Sequence, residues 1–165
     1  MRSLVNAPHA IPALLLFGSI GPLAFALFTQ YVWHLPPCHY CILQRYPYAL
    51  PLLAGLLAVL PALRVHRGKL LLLGVLGWLG TMGIALFHVG IEQGLIVMEG
   101  GCSTATLSGS IDDIRAQIMG APLVACNAVS AQFLGLSMAA WNAICALGLC
   151  LIALYLWRNR MEPTQ

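Results

Sequence analysis

Charged residues are scarce in this chain: they make up 8% of its 165 residues, while 60% of the residues are hydrophobic. A soluble domain of this size could not bury so much apolar surface, so the composition excludes an ordinary soluble globular protein. The formal net charge is only +3, which gives no reason to expect nucleic-acid binding. A lipid bilayer is therefore the expected surroundings of most of the chain.

The chain also lacks internal repeats, low-complexity tracts and long blocks of charge that would mark a linker. Because a helix needs about 20 apolar residues to cross a bilayer, the length leaves room for four or five spans and for no soluble domain. We therefore interpret residues 1–165 as a single membrane domain. The first apolar stretch is too long for a secretory signal and has no small-residue cleavage site, so we expect it to remain in the mature protein.

Apolar runs of spanning length predict four transmembrane helices. With a hydropathy window of about 19 residues, they lie at about 11–33, 42–62, 69–91 and 133–157. Prolines occur in these runs, but helices in a bilayer tolerate proline near their ends and at kinks. The predicted fold is an all-α, four-helix membrane bundle with two outward loops.

Charge predicts which way this bundle faces. Six of the eight Lys and Arg residues fall on the side of the termini: Arg2, Arg64, Arg67, Lys69, Arg158 and Arg160. Four of the five acidic residues fall opposite: Glu92, Glu99, Asp112 and Asp113. By the positive-inside rule, both termini are predicted to be cytoplasmic.

This orientation brings four of the six cysteines into the outward loops: Cys38, Cys41, Cys102 and Cys126. The outward compartment is therefore expected to be one in which disulfides persist. The other two, Cys145 and Cys150, lie inside the fourth span. We interpret them as small buried apolar residues without a chemical role.

The first cysteine pair forms a CxxC motif, Cys38-His39-Tyr40-Cys41, where the chain enters the second span. A helix should begin at or near Cys38, so that unpaired backbone N–H groups and the positive end of the helix dipole stabilise a thiolate there. Arg45 follows Cys41 by four residues and should share its helical face, which predicts a permanent positive charge beside that sulfur or beside an anionic ligand. The pattern favours a redox-active pair.

Two alternatives for this pair are a structural disulfide and half of a zinc site completed by His39 or His34. A structural zinc site needs four ligands, commonly from two such pairs, and the sequence holds no second CxxC. Arg45 would also repel a cation. We therefore predict no metal site.

The second pair lies in a long outward loop, from about residue 92 to residue 132, and loops of this length are usually functional or disordered. Cys102 follows Gly100-Gly101, and Cys126 comes shortly before the fourth span. The glycines should leave Cys102 open to an incoming thiolate, which suits thiol-disulfide exchange. A purely structural bridge is the alternative.

Between these cysteines, the segment Ser110-Ile111-Asp112-Asp113 has the form of a capping box with Asp in place of Glu. The apolar residues that follow share one helical face: Ile111, Ile114, Ile118 and Met119. They predict a short amphipathic helix that ends before Pro122, lying either on the membrane surface or in solvent.

Polar residues also mark the outward end of the third span. His88 and Glu92 are four residues apart, so both can face the bundle interior beside Arg45. A polar residue near membrane depth is a functional candidate; the alternative for His88 is a hydrogen bond to a neighbouring helix. The aromatic residues at this level are interpreted as an interfacial belt rather than ligand contacts: Tyr31, Trp33, Tyr46 and Tyr48.

Together these motifs resemble the DsbB family, disulfide bond formation protein B, over nearly the whole chain. The matching segments are Cys38-His39-Tyr40-Cys41 with Gln44-Arg45-Tyr46, His88-Val89-Gly90-Ile91-Glu92, Cys102, Cys126, and Phe133-Leu134-Gly135-Leu136-Ser137-Met138 with Trp141-Asn142. Asn127 departs from the family pattern, in which many members have Asp after the last cysteine, and this affects only local tuning of that thiol.

The resemblance implies an oxidoreductase of the bacterial inner membrane, with ubiquinone or menaquinone as acceptor and a DsbA-like, thioredoxin-fold periplasmic protein as donor. It implies that the donor attacks Cys102, that Cys126 is released, and that the electrons pass to the Cys38 and Cys41 pair. Cys41 would then react with the quinone, which Arg45, His88 and Glu92 would bind. Arg45 would stabilise the developing anion, and His88 would position the ring or supply protons.

Two other protein classes compare less well with the sequence. Vitamin K epoxide reductase uses similar parts, but its loop cysteines precede its CxxC, whereas the order here is reversed. A non-catalytic membrane protein, with disulfides that only brace its loops or with a metal site, is the alternative function.

Overall fold

The computed structural model describes residues 9–96, 110–112 and 132–161. Hydrophobic runs fold into helices there because a bilayer requires each backbone N–H to find its partner within the segment. The helices are α1 (Ala10–Tyr31), α2 (His39–Leu43), α3 (Ala49–Val59), α4 (Arg67–Glu92) and α5 (Met138–Met161). Two 3₁₀ segments, Tyr46–Tyr48 and Pro61–His66, precede α3 and α4.

Four helical segments are long and apolar enough to cross a membrane: Ala10–Tyr31, His39–Val59, Pro61–Glu92 and Met138–Asn159. The prediction of an all-α, four-helix membrane bundle is confirmed. Helix α4 packs against α3 and α5, and α1 packs against α3.

Small residues accompany large apolar ones where these helices pack together, and further large apolar residues cover their outer surfaces. The buried cluster includes Ile11, Leu15, Leu71 and Trp78 together with Ala54, Ala58, Ala146 and Ala153. Small residues let helix backbones approach closely, which is how helices associate in lipid without a hydrophobic driving force. Large apolar residues such as Phe17, Leu53 and Leu72 are exposed, as expected of a surface that faces acyl chains.

The second span is interrupted at Pro47, and this interruption shapes the site described below. Pro47 has no backbone N–H, and the Tyr48 N–H donates to the Arg45 carbonyl at 3.2 Å, in a 3₁₀ pattern. The carbonyl of Gln44 is therefore left without a helical donor. Thr81 Oγ1, on α4, donates to that carbonyl at 2.8 Å.

Close approach of α4 to this interrupted segment depends on Gly77. A Cβ atom at Gly77 would lie 2.5 Å from Pro51 Cδ and 2.7 Å from the Pro47 carbonyl oxygen. We expect Gly77→Ala to lower the free energy of unfolding by about 1 to 3 kcal/mol through overpacking, in spite of the higher helix propensity of alanine. Reversible unfolding by SDS in mixed micelles measures this change.

Gly83 provides a matched control on the same helix. Among the described residues, nothing lies within 4 Å of a Cβ atom built there, so Gly83→Ala should leave stability unchanged or slightly raised. Equal stability of the two variants would contradict the close approach at Gly77.

The fourth span begins later than predicted. The sequence predicts a span from about residue 133, but α5 begins at Met138, after an antiparallel hairpin in which β1 (Gln132–Phe133) pairs with β2 (Leu136–Ser137). Leu134 and Gly135 form its turn with φ of 53° and 77°, a left-handed conformation that glycine adopts without steric cost. The Trp141 indole N–H donates to the Phe133 carbonyl at 2.9 Å, which joins the hairpin to α5.

The structure describes only residues 110–112 of the second outward loop. Ile111 and Asp112 are helical and exposed, at the position where the amphipathic helix is predicted to begin. The rest of that helix lies outside the described residues, as do Cys102 and Cys126.

Candidate functional site

Cys38 and Cys41 form a disulfide at the start of α2, with Cα atoms 5.0 Å apart. Cys38 is the N-cap of the helix, and its sulfur accepts a hydrogen bond from the Cys41 backbone N–H at 3.1 Å. This confirms the prediction that a helix begins at or near Cys38. Cys38 is only 2% exposed, whereas Cys41 is half-buried, so Cys41 is the more accessible cysteine.

His88 approaches this disulfide from α4. Its Nε2 lies 3.5 Å from Cys38 Sγ and 3.7 Å from Glu92 Oε1, and the side chains of His88 and Glu92 are 3% and 5% exposed. The i,i+4 spacing on one helix brings the two side chains together. Glu92 Oε2 is buried and has no hydrogen-bond partner within the described part of the chain. The outward end of α4 thus presents an imidazole and a carboxylate to the cysteine pair.

Arg45 is anchored on α1. Its Nη1 donates to Gln30 Oε1 at 2.7 Å and its Nη2 to the Ala26 carbonyl at 3.5 Å, both on α1. Arg45 lies between α2, which ends at Leu43, and the 3₁₀ segment that begins at Tyr46. Arg45 Nε is buried and has no hydrogen-bond partner among the described residues.

A chain of polar side chains runs behind His88 into the bundle. Gln44 Nε2 lies 3.1 Å from His88 Nδ1, and Asn142 Nδ2 lies 2.7 Å from Gln44 Oε1 and 3.0 Å from Thr81 Oγ1. The Tyr48 hydroxyl donates to Asn142 Oδ1 at 2.7 Å. Two helices, α4 and α5, and the segment between α2 and α3 therefore contribute to one hydrogen-bonded network.

The sequence alone predicts a role for His88 but none for Gln44, Thr81 or Asn142. The interpretation of Tyr48 as an interfacial belt residue is wrong, because Tyr48 is 2% exposed whereas Tyr31, Trp33 and Tyr46 are exposed. Gln44, Thr81 and Asn142 are polar residues inside apolar runs, and that is the signal that could have identified them.

A cavity of about 530 Å³ lies beside the disulfide, between α1, α2 and the start of α5. Its polar lining comes from Cys38, Cys41, Gln44, Arg45, His88, Glu92 and Asn142, among others. Apolar side chains, including Leu23, Leu35, Met138 and Trp141, form much of the rest. Cavities of this size with apolar walls and a few convergent polar groups are typical binding sites for small molecules. The cavity is bordered by every predicted site residue that the structure describes.

A model of the family described as "Disulfide bond formation protein DsbB" matches residues 8–156 of the chain. The chain belongs to the DsbB family. Together with four helices able to span a membrane, membership of this family identifies a multi-pass inner-membrane protein. The resemblance found from the sequence motifs is confirmed.

Curated proteins with this family name, and one uncharacterized protein, match parts of the chain. Proteins named "Disulfide bond formation protein B" from Polaromonas naphthalenivorans (strain CJ2) and Albidiferax ferrireducens are each 40% identical, over 79 and 75 residues. These alignments cover 46% and 44% of this chain and 47% and 43% of the relatives. An uncharacterized protein of Rickettsia prowazekii (strain Madrid E) is 26% identical over 112 residues, 66% of this chain and 64% of the relative.

The chain thus spans about half the length of the two DsbB relatives it matches. No solved structure matches it significantly.

In this DsbB family member, the zinc site considered as an alternative would have a different histidine ligand. His34 and His39 are exposed, and the donor atoms that lie within 4.8 Å of one another belong to Cys38, Cys41 and His88. In the disulfide state, however, the two sulfurs are bonded to each other, and only thiolates are strong ligands.

The cysteines of the fourth span are less buried than predicted. Cys145 is exposed and Cys150 is partly buried, because the apolar surroundings that hydropathy detects are lipid as well as protein. Cys145 also borders the cavity.

Proposed function

We propose that this protein is a membrane thiol oxidase that keeps a DsbA-like periplasmic dithiol protein oxidised and passes the electrons through two cysteine pairs to a quinone. The observation that carries the proposal is a disulfide in the wall of an apolar cavity, with Arg45, His88 and Glu92 around the same cavity. Membership of the DsbB family supports disulfide bond formation as the process.

The cavity suits ubiquinone or menaquinone, because a quinone ring is flat and apolar and carries two oxygens that accept hydrogen bonds. Apolar walls match the first requirement, and the buried Nε of Arg45, which has no hydrogen-bond partner within the described ranges, matches the second. When bound, a quinone supplies an acceptor for two electrons and two protons. Arg45, His88 and Glu92 would hold it.

The accessible Cys41 is the sulfur that faces the acceptor. Cys38 is the buried partner, whose sulfur is held by the Cys41 N–H and lies beside His88. Arg45, anchored on α1 by Gln30, keeps a positive charge at the cavity wall, where it would stabilise negative charge on a bound acceptor. Loss of two electrons and two protons from the pair restores the disulfide.

Cys102 and Cys126 form the second pair of the proposal, on the basis of the sequence and the family. The reduced donor attacks Cys102 as a thiolate, and Cys126 leaves. The second donor thiolate then resolves the mixed disulfide, and the reduced loop pair exchanges with the Cys38–Cys41 disulfide. In the net reaction, two donor thiols become one disulfide.

Turnover tests the proposal directly. Purified protein in lipid nanodiscs, mixed with a reduced DsbA-like protein and a short-chain ubiquinone or menaquinone, should consume one quinone for each donor disulfide formed. Cys41→Ser should reduce quinone consumption to the rate of protein-free nanodiscs. Absence of turnover with both quinones, while the Cys38–Cys41 disulfide persists, would instead support the non-catalytic alternative with structural disulfides.

We further propose that both termini are cytoplasmic and that the loops with the cysteine pairs are periplasmic, as the charge asymmetry indicates. A reporter fused at Gln165 should then be active only as a cytoplasmic reporter, and one inserted near Ser108 only as a periplasmic reporter. The opposite pattern would contradict the thiol-oxidase function, because the cytosol keeps thiols reduced.

A further inference from the structure

We infer that Thr81, Asn142 and Gln44 form a directional hydrogen-bond chain that fixes His88 in the neutral tautomer with its proton on Nε2, facing the Cys38 sulfur. These three are positioning residues for His88. The tautomer follows from the contacts alone, whereas its meaning for thiol chemistry rests on the proposed function.

The direction of the chain is set by a backbone carbonyl. A side-chain amide can present either its oxygen or its nitrogen to a neighbour, so the direction depends on an atom that has only one possible role. The Gln44 carbonyl can only accept, and the interruption at Pro47 leaves it open to Thr81. Thr81 therefore donates its single hydroxyl proton to that carbonyl.

In each following hydrogen bond of the chain, only one atom can be the donor. Thr81 Oγ1 can now only accept, so the atom of Asn142 that lies 3.0 Å away must be the amide nitrogen. The second proton on that nitrogen points to the side chain of Gln44, 2.7 Å away, which must present its oxygen. The Tyr48 hydroxyl donates to the remaining oxygen of Asn142, in agreement with this assignment.

Gln44 then presents its nitrogen to His88 Nδ1, at 3.1 Å. Because an amide nitrogen only donates, Nδ1 must accept and carries no proton. A neutral imidazole with an unprotonated Nδ1 carries its proton on Nε2. This N–H lies 3.5 Å from Cys38 Sγ and 3.7 Å from Glu92 Oε1.

His88 is thereby a fixed hydrogen-bond donor rather than a carrier of protons. An imidazolium would place an N–H at Nδ1 against the N–H of Gln44. Rotating the Gln44 amide by 180° would remove that clash but would place its nitrogen against the amide nitrogen of Asn142. A neutral imidazole does not readily give up its remaining proton, so His88 stabilises a thiolate at Cys38 by hydrogen bonding. The same proton occupies the position at which Nε2 would ligate a metal held by Cys38 and Cys41.

Nitrogen-15 NMR of the full-length protein in nanodiscs tests the inference without any turnover. Histidine is labelled, and the His88 signals are identified by their absence in His88→Gln. At pH 6 we expect Nδ1 of the unsubstituted protein to be unprotonated and Nε2 to be protonated. A protonated Nδ1, or a rapid average of the two tautomers, would overturn the inference.

Two variants reverse the chain at different distances from the ring. Gln44→Glu replaces the donor with a carboxylate that accepts, so Nδ1 should become protonated. Asn142→Leu removes the donor that holds the Gln44 oxygen, so Gln44 can turn over and a protonated Nδ1 should appear, although residue 142 does not touch the ring. Unchanged His88 signals in both variants would overturn the chain.

Asn159→Leu, near the other end of α5, is the matched control and should leave the signals unchanged. Circular dichroism and gel filtration show whether each variant is folded. If one variant does not fold, the unsubstituted protein and the other variant still test the inference. A correct tautomer in a protein without quinone turnover would contradict the proposed function and leave the hydrogen-bond chain intact.

Discussion

Cys102→Ser is expected to reduce oxidation of the DsbA-like donor to the uncatalysed rate. Serine cannot form a disulfide, and without one the donor thiolate has no sulfur to attack in the outward loop. The position after Gly100-Gly101 motivates the choice of Cys102 rather than Cys126. Donor oxidation, followed by alkylation of free thiols on a gel, measures the loss.

The same variant should still reduce quinone when it is given a small dithiol. The Cys38–Cys41 disulfide borders its own cavity, and Cys41 is half-buried rather than sealed, so a small thiol can reach the pair without the loop. The two activities should therefore separate in Cys102→Ser and should be lost together in Cys41→Ser.

Cys150→Ser is the control for the general effect of replacing a cysteine, because Cys150 lies on α5 beside the apolar core. It should retain both activities. Donor oxidation at the normal rate in Cys102→Ser would show that the electrons do not enter through Cys102.

The sequence predicts the membrane bundle well because its signals are local and strong. Long apolar runs specify spans whatever packs against them, and a CxxC before such a run specifies a helix that begins at the cysteines. The ends of the spans depend on subtler features. The apolar segment Phe133–Ser137 has the hydropathy of a helix, but the left-handed turn at Gly135 makes it a hairpin.

The site is predicted less well, because its contacts cross between helices. His88 and Glu92 are close to each other since they share a helix, and their spacing is enough to predict it. Arg45 contacts Gln30 and the Ala26 carbonyl on α1, and no spacing within the second span predicts these contacts. The Asn142 contact with Gln44 joins residues on different spans, which no periodicity specifies.

Pro47 shows how one residue opens a contact between two spans. It has no N–H, and the Gln44 carbonyl accepts a hydrogen bond from Thr81 on α4 instead of from its own helix. From the sequence, prolines in the spans are predicted only to be tolerated near ends and at kinks. A kink also frees a carbonyl, and in a membrane that carbonyl must find another donor.

Arg45→Met is expected to slow quinone reduction about 100-fold to 1,000-fold, the usual effect of removing one preorganised donor to developing negative charge. Methionine fills similar volume but has neither charge nor N–H groups. Formation of the mixed disulfide between donor and Cys102 should be unaffected in a single-turnover assay, since that step is proposed for a separate loop. Steady-state rates with varied quinone measure the defect.

Three further variants separate charge from orientation at this position. Arg45→Lys keeps the charge but not the planar guanidinium, whose Nη1 donates to Gln30. Gln30→Met keeps the guanidinium but removes its anchor on α1. Arg64→Met removes a charge from an exposed residue and should leave quinone kinetics unchanged.

If charge alone matters, Arg45→Lys and Gln30→Met should both be nearly as active as the unsubstituted protein. If orientation also matters, both should fall between it and Arg45→Met, and this is the result we expect because the guanidinium is held by a 2.7 Å hydrogen bond. Unfolding measurements on each variant show whether a slower rate reflects lost structure. An Arg45→Met protein with normal stability and unchanged quinone kinetics would exclude Arg45 from the acceptor site, and the cavity would then have to bind its quinone through His88 and Glu92 alone.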